Sequence, residues 1–307
     1  MKFPIPLYGA VERAVMRVLF ALVVAHHIPG SLNYNTLPAP NGLARLADLT
    51  FLLNPAVFAV AQYLLYGALA LYVLRVGWSF ALPYMTLLSV CVGSIINSQG
   101  AISHYLQIVS LVLLAQTVAH FYNIVLPPAA EPSEIDAASE SRVIQFSQQA
   151  IAATYLVSGL TKLIHTGGAW ILQSPLVAVQ IVKTTEQDYY DTLDAARAGS
   201  SIAIAEWMAQ HPLIVGAVLT TGLLLELTAP LLLLGRRWTL FYGLALVAFH
   251  ESVHRVMKLQ FMYNEHLLWI YLVNVPFWAW LAARRLRRST PEEVSHPRAA
   301  KVHNETN

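Results

Sequence analysis

Five consecutive positions, His250-Glu251-Ser252-Val253-His254, put two imidazoles and a carboxylate into an H-E-x-x-H arrangement. On a helix His250 and His254 project from one face, one turn apart, so they could share a zinc ion while Glu251 activates its bound water. The same pair suits iron or copper equally well. Glu226, Glu265 and His266 are the candidates for a third ligand, and none stands at a diagnostic spacing. A second residue that could do chemistry is Lys162, within Tyr155-Leu156-Val157-Ser158-Gly159-Leu160-Thr161-Lys162-Leu163. A lysine held against an apolar surface has its charged form disfavoured by desolvation, which makes it a candidate general base. The plainer alternative is a snorkelling lysine whose ammonium simply reaches an interface.

Both residues sit in segments that otherwise resemble hydrocarbon. Hydrophobic residues make up 56% of the 307 and charged residues only 12%, about half of what a water-soluble chain carries. A net charge of +2 gives no footing for nucleic acid, and the single Cys91 excludes an internal disulfide framework. Crossing a bilayer takes about 20 mainly apolar residues. The pattern predicts an all-α integral membrane protein with eight transmembrane helices, near 11–28, 51–74, 79–97, 104–126, 144–164, 212–234, 238–258 and 263–283. The first has Glu12, Arg13 and Arg17 in its opening turns, and no small-residue cleavage site follows it, so a signal peptide is not expected.

Arginine and lysine set the orientation, because short loops rich in them stay in the cytoplasm. Lys2, Arg13, Arg17, Arg75, Arg142, Arg236, Arg237 and the arginines at 284, 285, 287 and 288 all fall on one side of an eight-span arrangement. The expected topology is therefore N-in, C-in in the cell membrane. His26, His27, His104, Lys162, His165, His250, His254, Glu265 and His266 then gather toward the outer face. Ionisable residues at that depth usually face a bundle interior or a cavity. The domain is expected over 1–288, with a Pro-rich, acidic cytoplasmic linker at 127–142 and a polar tail at 289–307. The outer segment 165–211 reads as a lid: Gly167-Gly168 ends the fifth helix, a short interfacial helix covers 170–182 with Pro175 in its first turns, and a polar stretch follows. The terminal arginines read as topology determinants that meet anionic lipid.

With the spans in place, the segment from Tyr155 to Leu163 followed by Trp170 resembles the Tyr-x-x-x-Gly-x-x-Lys-Leu…Trp signature of the vitamin K-dependent gamma-carboxylase-like (HTTM) membrane superfamily. Asn97 with Ser103-His104-Tyr105-Leu106 resembles that family's polar helix start. Glu226-Leu227-Thr228-Ala229-Pro230-Leu231-Leu232 is similar to its Glu-x-x-x-Pro-Leu-Leu span, and Phe249-His250 with Phe261 to its Phe-His…Phe span. The order and spacing agree over roughly 10–285.

The resemblance implies that Lys162 is a base toward a reduced naphthoquinone and that His104 assists it. Asn97, Trp170, Glu226, His250, Glu251 and His254 would line the same pocket. Two departures narrow the expectation. Thr161 stands where the family has a second lysine, and the large C-terminal lumenal region that holds a protein substrate is not expected here. The substrate is then a peptide or a small molecule. The alternatives are a membrane metal-dependent hydrolase built on His250 and His254, and a lipid- or quinone-binding or peptide-maturation partner without turnover.

Overall fold

The second long helix shows how local chemistry starts an element in this chain. Asn54 accepts from the Ala56 and Val57 amides at 2.9 and 3.4 Å, and Pro55 fills the first helical position, where no amide donor is needed. In the computed structural model, which describes residues 7–100, 102, 104–173, 175–194 and 201–289, every regular element among the described residues is helical. In the first half, α1 spans Ala10–His27, α2 Pro55–Leu74, α3 Trp78–Asn97, α4 His104–Val125 and α5 Ile135–His165. Each of these packs on its successor, α3 on α4 and α4 on α5 most extensively. The α2–α3 corner is sharp because Arg75 and Gly77 both take left-handed backbone at φ 62°.

The second half is more broken. After a short 3-10 turn at Trp170–Gln173 come α6 (Pro175–Thr192), α7 (Ile202–Gln210) and α8 (Pro212–Leu227). A 3-10 segment, Ala229–Leu234, leads into α9 (Arg236–Met257). The last run consists of α10 (Met262–Leu267), a π-helical turn at Leu268–Val273, and α11 (Val275–Ser289). The π turn packs along α9, and α10 packs on α4, so this run lies between the two halves. Its wide turn buries Leu268, Ile270, Tyr271, Leu272 and Val273 together. Gly243 of α9 permits the approach: a Cβ there would stand 2.9 Å from the Leu272 Cβ and 3.0 Å from the Val273 amide nitrogen.

Among the described residues, four helical runs are long and apolar enough to cross a membrane: Pro55–Leu74, Trp78–Asn97, Leu106–Val125 and Met262–Leu286. A fifth is reached if α7 and α8, bent by 96° across their junction, form one broken span. The remaining expected spans are helices of a different kind. In α1, Glu12, Arg13 and Arg17 occupy the first turns, and α5 carries Asp136, Glu140 and Arg142. Glu12, Glu140 and Arg142 are buried against neighbouring helices.

Several boundaries differ from the sequence expectation. The linker expected over 127–142 ends at Glu134, because α5 begins at Ile135 and Glu140 is drawn into the bundle by arginines. The span expected over 212–234 is α-helix to Leu227 and 3-10 from Ala229 to Leu234, and the one expected over 263–283 is interrupted by the π turn and by Asn274, whose φ is 51°. In the lid, the helix expected over 170–182 instead starts at Pro175, its first position, and continues to Thr192 into the polar stretch that follows. Positive φ at Gly167 and Gly168 does end α5. The tail at 290–307 lies outside the described residues.

Candidate functional site

Tyr155, Gly159 and Lys162 follow one another at i, i+4 and i+7, so they share one face of α5, with Ser158 beside them. Gly159 is what lets α8 lie against that face. A Cβ at this position would be 3.2 Å from the Glu226 Cβ and 3.0 Å from a Leu227 methyl. The close approach brings the Lys162 ammonium to 2.5 Å from both carboxylate oxygens of Glu226, while the Ser158 hydroxyl donates to Oε1 at 3.3 Å. The pair is asymmetric in its surroundings: the Glu226 side chain is 5% exposed and that of Lys162 26%. Trp170, delivered by the turn after Gly167-Gly168, sets its ring 5.6 Å from the Lys162 Nζ on the open side.

Two helical turns from Lys162 along α5, the Tyr155 hydroxyl is 2.6 Å from His250 Nε2. The imidazole sits in an aromatic cage, with ring centroids of Phe261, Phe249 and Tyr155 at 4.9, 5.6 and 5.7 Å. Asn264 of α10 faces the same hydroxyl, and the Lys162 charge is near enough to act on the His250 ring. Among the described residues, three buried atoms here have no hydrogen-bond partner: His250 Nδ1, His254 Nδ1 and Asn264 Oδ1. Buried polar atoms are normally satisfied, so orphans of this kind are where a ligand, ion or water belongs.

Other expected site residues fall around this array in different ways. Glu251 turns away to Arg255, 3.2 Å from its guanidinium, and is 43% exposed. Glu265 interacts electrostatically with Glu251 and His254. Asn97 is the last residue of α3 and half-buried. His104 is the first residue of α4, the helix that α10 packs against, and its side chain lies outside the described residues. His26 Nδ1 is 3.0 Å from the Tyr263 hydroxyl, which donates to the His26 carbonyl; the ring nitrogen is therefore the donor to that oxygen. His27 contacts Ser89 at 2.9 Å. No three His, Cys, Asp or Glu side chains among the described residues gather as a metal-binding set. No protein family, no curated protein and no solved structure matches the chain.

Sequence reasoning quoted Tyr155 and Ser158 inside a motif but assigned them no role, and it overlooked Asn264. Their signal was available: Tyr155 and Ser158 lie seven and four residues before Lys162, spacings that put all three on one face of α5. It also missed a second polar cluster at the opposite end of α1, α5 and α9. There Glu140 receives Arg13 at 2.6 Å, Arg75 at 3.1 Å and Arg17. Glu12 accepts from Arg236 at 2.7 Å, from the Asn274 amide at 2.8 Å and from the Gly9 backbone at 2.6 Å. Above it the hydroxyls and amides of Tyr72, Gln116, Tyr271 and Ser147 form a connected chain.

Proposed function

We propose that the protein is an eight-span, N-in, C-in cell-membrane protein of the gamma-carboxylase-like HTTM class, whose outer-face site takes a proton from a reduced naphthoquinone. The Lys162–Glu226 pair carries this reading: an amine and a carboxylate in bidentate contact, one reachable from outside and one buried. Covering the site with an apolar ligand removes water, and desolvation penalises two charges more than two neutral partners. The ammonium proton then passes to Glu226 along the existing hydrogen bond and leaves a neutral amine, the form that can accept a proton from an acidic hydroxyl. Arginine could not make this exchange.

The surroundings suit such a ligand. Trp170 offers an aromatic face beside the amine, and the rings of Phe249 and Phe261 flank His250, whose unpartnered Nδ1 is available to a polar group on the ligand. When bound, a reduced naphthoquinone supplies the reducing power for oxygen chemistry. The chain's own residues hold it, exclude water and move one proton at Lys162 Nζ. The partners that follow are the lipid bilayer, the quinone and a peptide or small-molecule acceptor.

Purified protein supplied with a reduced naphthoquinone and oxygen should form oxidised or epoxidised product. Lys162→Ala should lower that turnover by about 10²- to 10⁴-fold, the usual contribution of a general base. Lys162→Arg should fail equally. Binding without turnover in the wild type would leave a quinone-binding protein; neither binding nor turnover would remove the reading. Topology has a separate test, since Gln187→Cys should react with an impermeant thiol reagent from outside intact cells and Ser133→Cys should not. Reversed labelling would turn the site to the cytoplasm.

The unpartnered Nδ1 atoms of His250 and His254 favour one further reading, a metal held between these two side chains on α9. Metal content by mass spectrometry decides it: a stoichiometric transition metal lost in His254→Ala supports the site, and metal-free wild-type protein purified without chelator excludes it.

A further inference from the structure

We propose that the end of the bundle opposite Lys162 binds a phosphate-bearing anion through Arg13, Arg17 and Arg75. Three guanidiniums converge there on the single buried carboxylate of Glu140. The only other carboxylate touching them among the described residues is Asp136, which stands 3.8 Å from Arg75 and is 86% exposed. Cations outnumber carboxylates even when both are counted. The imbalance widens at Arg142, two residues beyond Glu140. It is buried, donates to the Leu126 carbonyl at 2.7 Å, lies over the Tyr122 ring, and contacts no carboxylate among the described residues.

Positive charge held at the edge of a low-dielectric bundle is costly unless a counter-charge reaches it. Donors remain for one. Each guanidinium has five N–H groups, while Arg13 spends its contacts on Glu140 and the Tyr8 carbonyl, and Arg17 on Glu140 and the Val73 carbonyl. Arg75, at the left-handed corner between α2 and α3, is 37% exposed and opens the cluster outward. Planar guanidinium forks match phosphate oxygens two at a time. The phosphate comes either from solution or from the headgroup of an anionic phospholipid. The second source fits the position between two helices long and apolar enough to cross a membrane.

The test uses the full chain in detergent micelles, with phosphatidylglycerol, phosphatidylcholine and sodium phosphate as probes and occupancy read by native mass spectrometry. Wild-type protein should retain phosphatidylglycerol over phosphatidylcholine, and Arg75→Gln should bind it about fivefold more weakly, the upper value for losing one partly exposed ion pair. Arg237→Gln, which removes an exposed charge outside the cluster, should change nothing. Saturable phosphate binding that Arg75→Gln weakens, without lipid selectivity, would assign the site to free phosphate. Absence of both, or equal losses in the two variants, overturns the proposal. Should Arg75→Gln fail to fold, hydrogen exchange on the wild type replaces it: phosphatidylglycerol should protect amides near 73–77 and 138–142 where phosphatidylcholine does not, and equal exchange in both lipids likewise overturns it.

Discussion

The two ends of α1, α5 and α9 use the same kinds of residue in opposite ways. At one end Glu12 and Glu140 each collect several donors, and the arginines that reach them also bond backbone carbonyls. At the other, Lys162 meets Glu226, but His250, His254 and Asn264 each keep a buried atom without a partner among the described residues. Between the two lies an apolar layer. On α5 the polar Ser147 and Tyr155 are separated by the fully buried Ile151 at i+4, and on α9 Tyr242 and His250 are separated by Leu246 in the same way. Leu267 completes the layer from α10. The two clusters thus differ in which groups are engaged: at the first end the carboxylates are fully engaged while their arginines keep spare donors, and at the second a carboxylate is paired while two imidazoles and an amide each have an atom without a partner among the described residues.

The largest test of that difference is a crossed pair of substitutions. On the proposed function, Lys162→Ala should cost turnover by orders of magnitude while leaving a folded protein, since Lys162 is partly exposed and Ser158 still donates to Glu226. Glu140→Ala should do the reverse, leaving three arginines around an empty centre and destabilising the fold by about 3–5 kcal/mol. Thermal unfolding in detergent measures the second. If Glu140→Ala unfolds no earlier than Lys162→Ala, the Glu140 cluster is not holding the bundle, and the contrast between the ends fails.

Tyr155→Phe probes the boundary between the open site and the core. It removes the hydroxyl that meets His250 Nε2 and leaves the imidazole with both nitrogens unsatisfied in its aromatic cage. The expected loss is about 1–3 kcal/mol, the cost of a stranded buried polar group. A stability unchanged within error would mean that water already satisfies His250, and that the site is wetter than its burial implies.

How much of this was readable beforehand depends on the range of the interaction. Helix positions in the first half follow from local runs of apolar residues, and Lys162, Trp170, Glu226 and His250 stood out as chemistry-bearing residues in apolar surroundings. Local pattern could not give the ion pairs, because Glu140 and its arginines are up to 127 residues apart and Glu12 is 224 from Arg236. An isolated glutamate in a predicted linker carries no mark of its partner. The interruptions at Asn274 and Thr228 were equally silent, since both segments remain apolar across the break. In each case the arginines were read for topology alone, although the same side chains bind the helices together.

Glu251 gives the smallest expected effect and sharpens the comparison most cheaply. Sequence spacing makes it the water-activating carboxylate of an H-E-x-x-H motif, but the side chain is 43% exposed and meets Arg255 at i+4. Exposed i, i+4 pairs on helices contribute about 0.3–0.5 kcal/mol, so Glu251→Gln should shift stability by no more than that. His254, one turn along from His250 with a buried orphan nitrogen, should be the more sensitive neighbour. If Glu251→Gln instead removes activity in protein of unchanged stability, the glutamate must swing back toward the two histidines during turnover. The open end of the molecule would then be organised around α9 rather than around the Lys162–Glu226 pair.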